Sequence, residues 1–155
     1  MPVDFDAKRT WASREIEAPA ATLFAVLCDP TLHSVIDGSG TVRDSAGPRD
    51  QRLEMGTKFG MNMRMGIPYR MPNTVVEFEQ DRRIAWATPG KHRWRWELEP
   101  QGDGATTLVT ETFDWTTSIV TKLVEVLRFP ERHLPAIERS LQRLDAYVSH
   151  RAAGV

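Results

Sequence analysis

Glu111 is the carboxylate of this chain best placed to do chemistry. In Val109-Thr110-Glu111-Thr112-Phe113 it shares the parity of Val109, Phe113 and Trp115. A strand here therefore sends its carboxyl to the same side as three apolar side chains. Desolvation on such a side raises a carboxyl pKa, which suits a general acid or base, or an anchor for a ligand hydroxyl. Two plainer roles remain open for it. It can be a structural ion pair, with Arg14 as partner through the parity Arg14 shares with Ala12 and Ile16, or a bulge can turn it to solvent.

His33 and Asp37 are four apart and can share a helical face. Such a pair orients a proton shuttle, or sits solvated at the rim of a site. Tyr69 and His92 are candidates for polar contacts to a ligand. The proton-transfer set is thus Glu111, His33 and Tyr69. No Ser/His/Asp or Cys/His arrangement can be picked out, and Cys28 lies in an apolar helical stretch where a thiol is buried and inert. His33, His92, His133 and His150 lack the paired spacing of a zinc site, and Gly38-x-Gly40 follows a helix rather than a strand, unlike a dinucleotide loop. Neither a metal nor a cofactor is expected.

The elements that must position these groups are legible as periods. Met55, Phe59, Met61, Met63 and Met65 fall on one parity, with Lys58, Asn62 and Arg64 on the other, so this is a strand with one buried face. That face is mostly thioether, which adapts to variable shapes and suits either a core or the lining of a pocket. Residues 92–98 repeat the pattern, with Trp94 and Trp96 inward and Arg93, Arg95 and Glu97 outward. The same geometry excludes a basic–aromatic nucleic-acid surface, because arginines and indoles leave the strand on opposite faces; those arginines pair with Glu97, Glu99 or carboxylates of neighbouring strands. Further strands are read at 10–18, 41–45, 73–80 (Val76 and Phe78 on one face), 83–88 (Ile84 with Trp86) and 106–115.

Two short helices separate the first two strands. Pro19 opens one carrying Leu23, Val26 and Leu27, and Asp29 caps another with Pro30 at its first position. After residue 118 the period is helical again. Leu123, Val126 and Leu127 form one face before Phe129-Pro130 interrupts, and Leu134, Ile137, Leu141, Leu144 and Val148 then mark a long amphipathic helix. A hairpin-connected antiparallel sheet covered by a terminal helix is an α+β architecture.

The 155 residues fit one domain, and a net charge of −1 argues against a nucleic-acid partner. No apolar run has the length of a membrane span, so no stable membrane insertion is expected. The opening residues lack a secretory pattern and there is a single cysteine, so the protein is expected in the cytoplasm. The pattern carries no signal of oligomeric state.

The stretch Ile16-x-Ala18-Pro19 leading into Leu23-Phe24-x-Val26-Leu27-x-Asp29-Pro30 resembles the START-like superfamily known as SRPBCC, in its polyketide cyclase/dehydrase and lipid-transport branch. Ile36-Asp37-Gly38-Ser39-Gly40 and the ending Phe129-Pro130-Glu131-Arg132, running on to Leu141-x-x-Leu144, are similar to members of the same group. The resemblance covers the whole chain, through structural rather than chemical motifs. It implies a helix-grip fold: a curved seven-stranded antiparallel sheet around the long C-terminal helix, with a hydrophobic cavity between them. Members include lipid carriers, cyclases, stress-response binding proteins and co-chaperone-like domains.

The leading expectation is a binding protein or carrier for a small hydrophobic ligand of lipid, polyketide-like or isoprenoid type. Its lining is read as Phe59, Met61, Met63 and Met65 from the methionine strand, Trp86, Trp94 and Trp96 from the indole strands, and Phe113 and Phe129. The loop 46–52 and the break at Phe129-Pro130 are the expected gates. The rival is an enzyme of cyclase/dehydratase type using Glu111, His33 or Tyr69. A third reading is a co-chaperone-like interaction domain, which needs an exposed apolar patch instead of a cavity.

Overall fold

The described residues form eight strands: β1 (Val3–Asp4), β2 (Arg9–Ile16), β3 (Val42–Ser45), β4 (Lys58–Met65), β5 (Ile67–Glu79), β6 (Arg83–Ala87), β7 (Arg93–Gln101) and β8 (Thr106–Asp114). The computed structural model describes residues 3–47 and 51–153. All eight strands join one antiparallel sheet in the order β1-β2-β8-β7-β6-β5-β4-β3. Seven strands were expected; the eighth is β1, whose two residues pair with Arg9 and Thr10 and are too few to carry a pattern.

Between β2 and β3 lie α1 (Ala20–Leu27), a single 3-10 turn (Pro30–Leu32) and α2 (His33–Ile36). The caps follow the sequence. Pro19 precedes α1, and Asp29 Oδ1 accepts hydrogen bonds from the Thr31 backbone N–H at 3.0 Å and the Thr31 hydroxyl at 2.6 Å. After β8 come α3 (Thr121–Val126) and α4 (Phe129–Ala153). Pro130 sits in the first turn of α4, where a missing N–H removes no intrahelical bond. The break between the two helices falls just before that proline, at Arg128, whose φ of 59° is the left-handed conformation that ends a helix.

α4 packs on β2 and β8, with Ile137, Leu141, Leu144 and Val148 turned to the sheet. The face of α3 is opposite to the expected one. Val124 enters the core while Leu123, Val126 and Leu127 are exposed. A second correction concerns β5. A bulge between Val75 and Glu77 shifts the phase at Val76, so Val75, not Val76, shares the inner face with Phe78.

The convex face is charged. Arg95 donates from Nε and Nη2 to the two oxygens of Glu77 at 2.9 and 2.7 Å, and from Nη1 to Asp114 at 3.0 Å. Arg93 adds a bond to Glu77 at 2.8 Å. The strand arginines thus pair with carboxylates of neighbouring strands rather than with Glu97 or Glu99. Hydrogen bonding to Arg95 holds the Glu77 carboxyl below its usual range despite partial burial.

Candidate functional site

Two paired rows cross the inner face of the sheet. One runs Thr10, Phe113, Trp94, Trp86, Val75 and the next Ala12, Glu111, Trp96, Ile84, Phe78. Strand parity puts the indoles, the phenylalanines and Glu111 on one side, beneath the helices. Phe59, Met61, Trp96 and Phe113 are buried in the common core, whereas Met63, Trp86, Trp94 and Phe129 are only partly covered. Met65 departs from the expected lining: it is exposed at the end of β4, where the stripe leaves the body of the protein. Met55 is likewise exposed, in the turn that precedes β4.

Phe113 is the hub of an aromatic cluster. Its ring centroid lies 5.0 Å from Trp94, 5.3 Å from His92 and 4.6 Å from His133. His133 also meets Trp94 at 4.9 Å and stacks with Phe129, one turn earlier on α4, at 5.5 Å. Burial first, then the neighbouring His92 and Arg132, bring the His133 pKa down to about 4. Burial also lowers that of His92, whose Nε2 is 2.8 Å from the Thr88 hydroxyl while Nδ1 is buried without a partner among the described residues. His133 escaped the sequence reading as a site residue. Its only signal was the four-residue step Phe129, His133, Ile137, Leu141 along one helix face.

The three expected proton-transfer residues stand apart, on β8, α2 and β5. Glu111, 6 % exposed, lies between Ala12 and Trp96, and its Oε1 has no hydrogen-bond partner among the described residues. Burial, and secondarily the Asp37 charge, push its pKa well above the ordinary carboxylate range. Arg14 is not its partner; the Arg14 Nε bonds Asp145 of α4 at 2.7 Å. His33 is buried, its Nε2–H donating to the Leu27 carbonyl at 2.9 Å and its ring stacked on Trp86 at 4.9 Å. It forms no pair with Asp37, whose carboxylate instead accepts from the Ser39 hydroxyl at 2.6 Å and the Gly40 N–H at 3.0 Å. Burial lowers the His33 pKa. Tyr69 is half-buried opposite Met63, on the part of β5 that runs beyond β6.

Two depressions of the surface lie away from the expected void between the indoles and α4. One, of about 500 Å³, is an open groove at the β3–β5 end of the sheet, among Arg43, Asn62, Met63, Arg64 and Pro68. The other, of about 280 Å³, lies on the convex face beside Arg83, Glu97 and Leu108. The expected gate at 46–52 falls in part on residues 48–50, outside the described residues. Cys28 is buried, its thiol pushed up to about 12, first by burial and then by Asp81, so it is inert as a nucleophile.

A curved antiparallel sheet with a long C-terminal helix laid on it defines the helix-grip class. The chain belongs to the polyketide cyclase / dehydrase and lipid transport family, whose pattern matches residues 9–149. It is 38 % identical over 156 residues to the uncharacterized protein Rv0088 of Mycobacterium tuberculosis, covering 97 % of this chain and 69 % of that one. Among solved structures, protein NE0264 from Nitrosomonas europaea superposes with a TM-score of 0.70 at 18 % identity, covering 97 % of this chain and 99 % of that one. The Polyketide_cyc-like protein Cgl2372 from Corynebacterium glutamicum gives 0.63 at 17 % identity, with 93 % of each chain covered. At these identities the structural likeness speaks for the fold.

Proposed function

We propose that this chain, as one domain, binds and carries a small hydrophobic molecule of lipid, polyketide-like or isoprenoid type. The ligand lies on the inner face between the β4–β5 hairpin and the first turns of α4. One observation carries the reading: Met63, Trp86, Trp94 and Phe129 point inward yet remain only partly covered, because α4 is laid over β2 and β8. Movement of the hairpin away from α4 widens that strip into a pocket. The unpartnered His92 Nδ1 and Glu111 Oε1 are polar atoms that a ligand hydroxyl would satisfy. Covering about 400 Å² of apolar ligand surface supplies roughly 10 kcal/mol, and association losses of several kcal/mol leave an affinity near micromolar. The single buried thiol fits a reducing, cytoplasmic setting. Titration with a fluorescent fatty acid, following tryptophan emission, tests the proposal. Saturable quenching that weakens in Trp94→Phe is expected, and an absence of binding overturns it.

A second reading, proton-transfer chemistry of cyclase/dehydratase type, is favoured by Glu111 alone. A buried carboxyl held protonated can donate to a ligand oxygen and then recover the proton. Its test is Glu111→Gln, which should abolish turnover of a polyketide-like substrate while binding persists. Retained turnover removes the reading.

A further inference from the structure

Most of the large apolar side chains that the core does not use gather at one end of the sheet. Thr74 and Ala87 form the last pair between β5 and β6, so residues 67–73 of β5 run on past β6 with only β4 beside them. The direction they take is that of the β6–β7 turn. The segment after β8 is tied to the same turn, Ile119 N–H donating to the Gly90 carbonyl at 3.0 Å and the Thr117 hydroxyl to the Lys91 carbonyl at 2.6 Å. The hairpin tip and α3 therefore stand at a common end. There Ile67 is 73 % exposed, Ile119 71 % and Val126 76 %, with Met65 and Leu123 beside them in sequence also exposed.

The hairpin tip, the β6–β7 turn and the segment through α3 carry an excess of positive charge. Residues 63–71, 88–92 and 119–132 contain six cations (Arg64, Arg70, Lys91, Lys122, Arg128, Arg132) against the two carboxylates Glu125 and Glu131, in a chain whose net charge is −1. Both carboxylates are engaged. Glu125 accepts from the Trp115 indole N–H at 3.0 Å, and Glu131 lies 3.8 Å from Arg128. Among the described residues Arg64, Arg70, Lys91, Lys122 and Arg132 take part in no ion pair. The open groove between Arg43, Arg64 and Pro68 adds a third guanidinium beside the tip.

Exposed large apolar side chains with cations beside them in sequence, most of those unpaired, match a surface that is apolar within and negative at its boundary. We propose that this end of the molecule docks on an anionic lipid bilayer. The hairpin tip and α3 enter the interface with Met65, Ile67, Leu123 and Val126, and the surrounding arginines and lysines meet the headgroup phosphates. The contact is peripheral, since no described helix is long and apolar enough to cross a membrane. The proposal rests on and deepens the carrier reading by naming where the cargo would be exchanged: Met63 near the tip of β4, Trp94 at the start of β7 and Phe129 at the start of α4 all lie toward the docked end.

Flotation of the full chain with vesicles tests it. Binding to vesicles of phosphatidylcholine mixed with phosphatidylglycerol should exceed binding to phosphatidylcholine alone by about tenfold or more, and should fall as salt rises. Leu123→Asp with Val126→Asp should lower partitioning about tenfold, and Arg64→Glu with Lys122→Glu should erase the anionic preference. All four positions are exposed, so an unchanged circular dichroism spectrum and melting temperature establish that the variants are folded. No flotation, flotation indifferent to these variants, or a wild type that dimerises through the patch in light scattering and ignores vesicles overturns the proposal. Fatty-acid titration without vesicles keeps the two readings separate. Variants that bind the fatty acid but fail to float support docking, whereas a chain that floats without binding fatty acid keeps docking and sinks the carrier.

Discussion

The imidazole of His133, one turn into α4, meets the ring of Phe113 on β8 edge-on at 4.6 Å, and this contact fastens the start of the helix to the sheet. The ring is held neutral there. Between its folded pKa of about 4 and the ordinary histidine value of 6.5, unfolding takes up a proton. The stability this group contributes is complete above pH 6.5 and is lost as pH falls through about 4. His33 and His92, also lowered by burial, act in the same direction. Chemical denaturation across this window should show stability rising with pH, and His133→Gln should flatten the slope by roughly one proton.

Glu111 has the opposite dependence. Its folded pKa is raised, so its contribution is complete below the unfolded value of 4.5 and is lost as pH rises through the folded one. At neutral pH it is a burden on the fold. Glu111→Gln should therefore stabilise the protein at pH 7, where the unfolded carboxyl gains by ionising, by on the order of 1 kcal/mol or more, one pKa unit being worth about 1.4 kcal/mol. The gain should vanish near pH 4. Equal melting temperatures at pH 7 would show that the carboxyl is satisfied.

Gly38 marks the closest approach of the segment after α2 to α4. Its N–H donates to Ser140 Oγ at 2.8 Å, and its carbonyl accepts from Arg139 Nε at 2.8 Å. A Cβ here would lie 2.6 Å from both Arg139 Cβ and the Ser140 backbone nitrogen, and against the Ala136 carbonyl, none of them the movable end of a side chain. Gly38→Ala should cost about 3 kcal/mol, the upper part of the overpacking range. A thermal melt within a degree or two of wild type contradicts this.

On the convex face, Arg95 and Arg93 differ in worth although both touch Glu77. Arg95 is mostly buried and spans Glu77 and Asp114, so Arg95→Ala removes three hydrogen bonds at once, leaves Glu77 to Arg93 and Asp114 to Arg9, and should cost about 2 kcal/mol. Arg93→Ala removes one more exposed pair and should cost less than about 1 kcal/mol. Equal losses would mean that the network acts as a unit.

The outline of this fold is written in its periods. Alternation along β4 and β7 places Phe59, Met61 and the two indoles correctly, and the step from Leu134 to Val148 gives the covering helix. The failures have physical reasons. The first half of β5 lies outside the strand read at 73–80; it carries Pro68 and Pro72, which are tolerated where β5 has a neighbour on one side only. Val76 reads as sharing a face with Phe78 because a bulge leaves no trace in alternation. On α3, apolar residues lie on every side, and pattern alone does not say which one the core receives. Of the candidate site, parity found Glu111, Trp94 and Trp86. The gathering of His92 and His133 around Phe113 depends on how α4 is laid over β8, which local sequence does not encode.

The two ends of the sheet order, β1 and β3, are two and four residues long, and the second is broken by a register shift between Val42 and Asp44. A margin so brief offers an incoming strand hardly any ladder to extend. Pairing from molecule to molecule through these two strands is thereby discouraged, while the one-sided stretch of β5 carries Pro68 and Pro72, which withhold ladder donors.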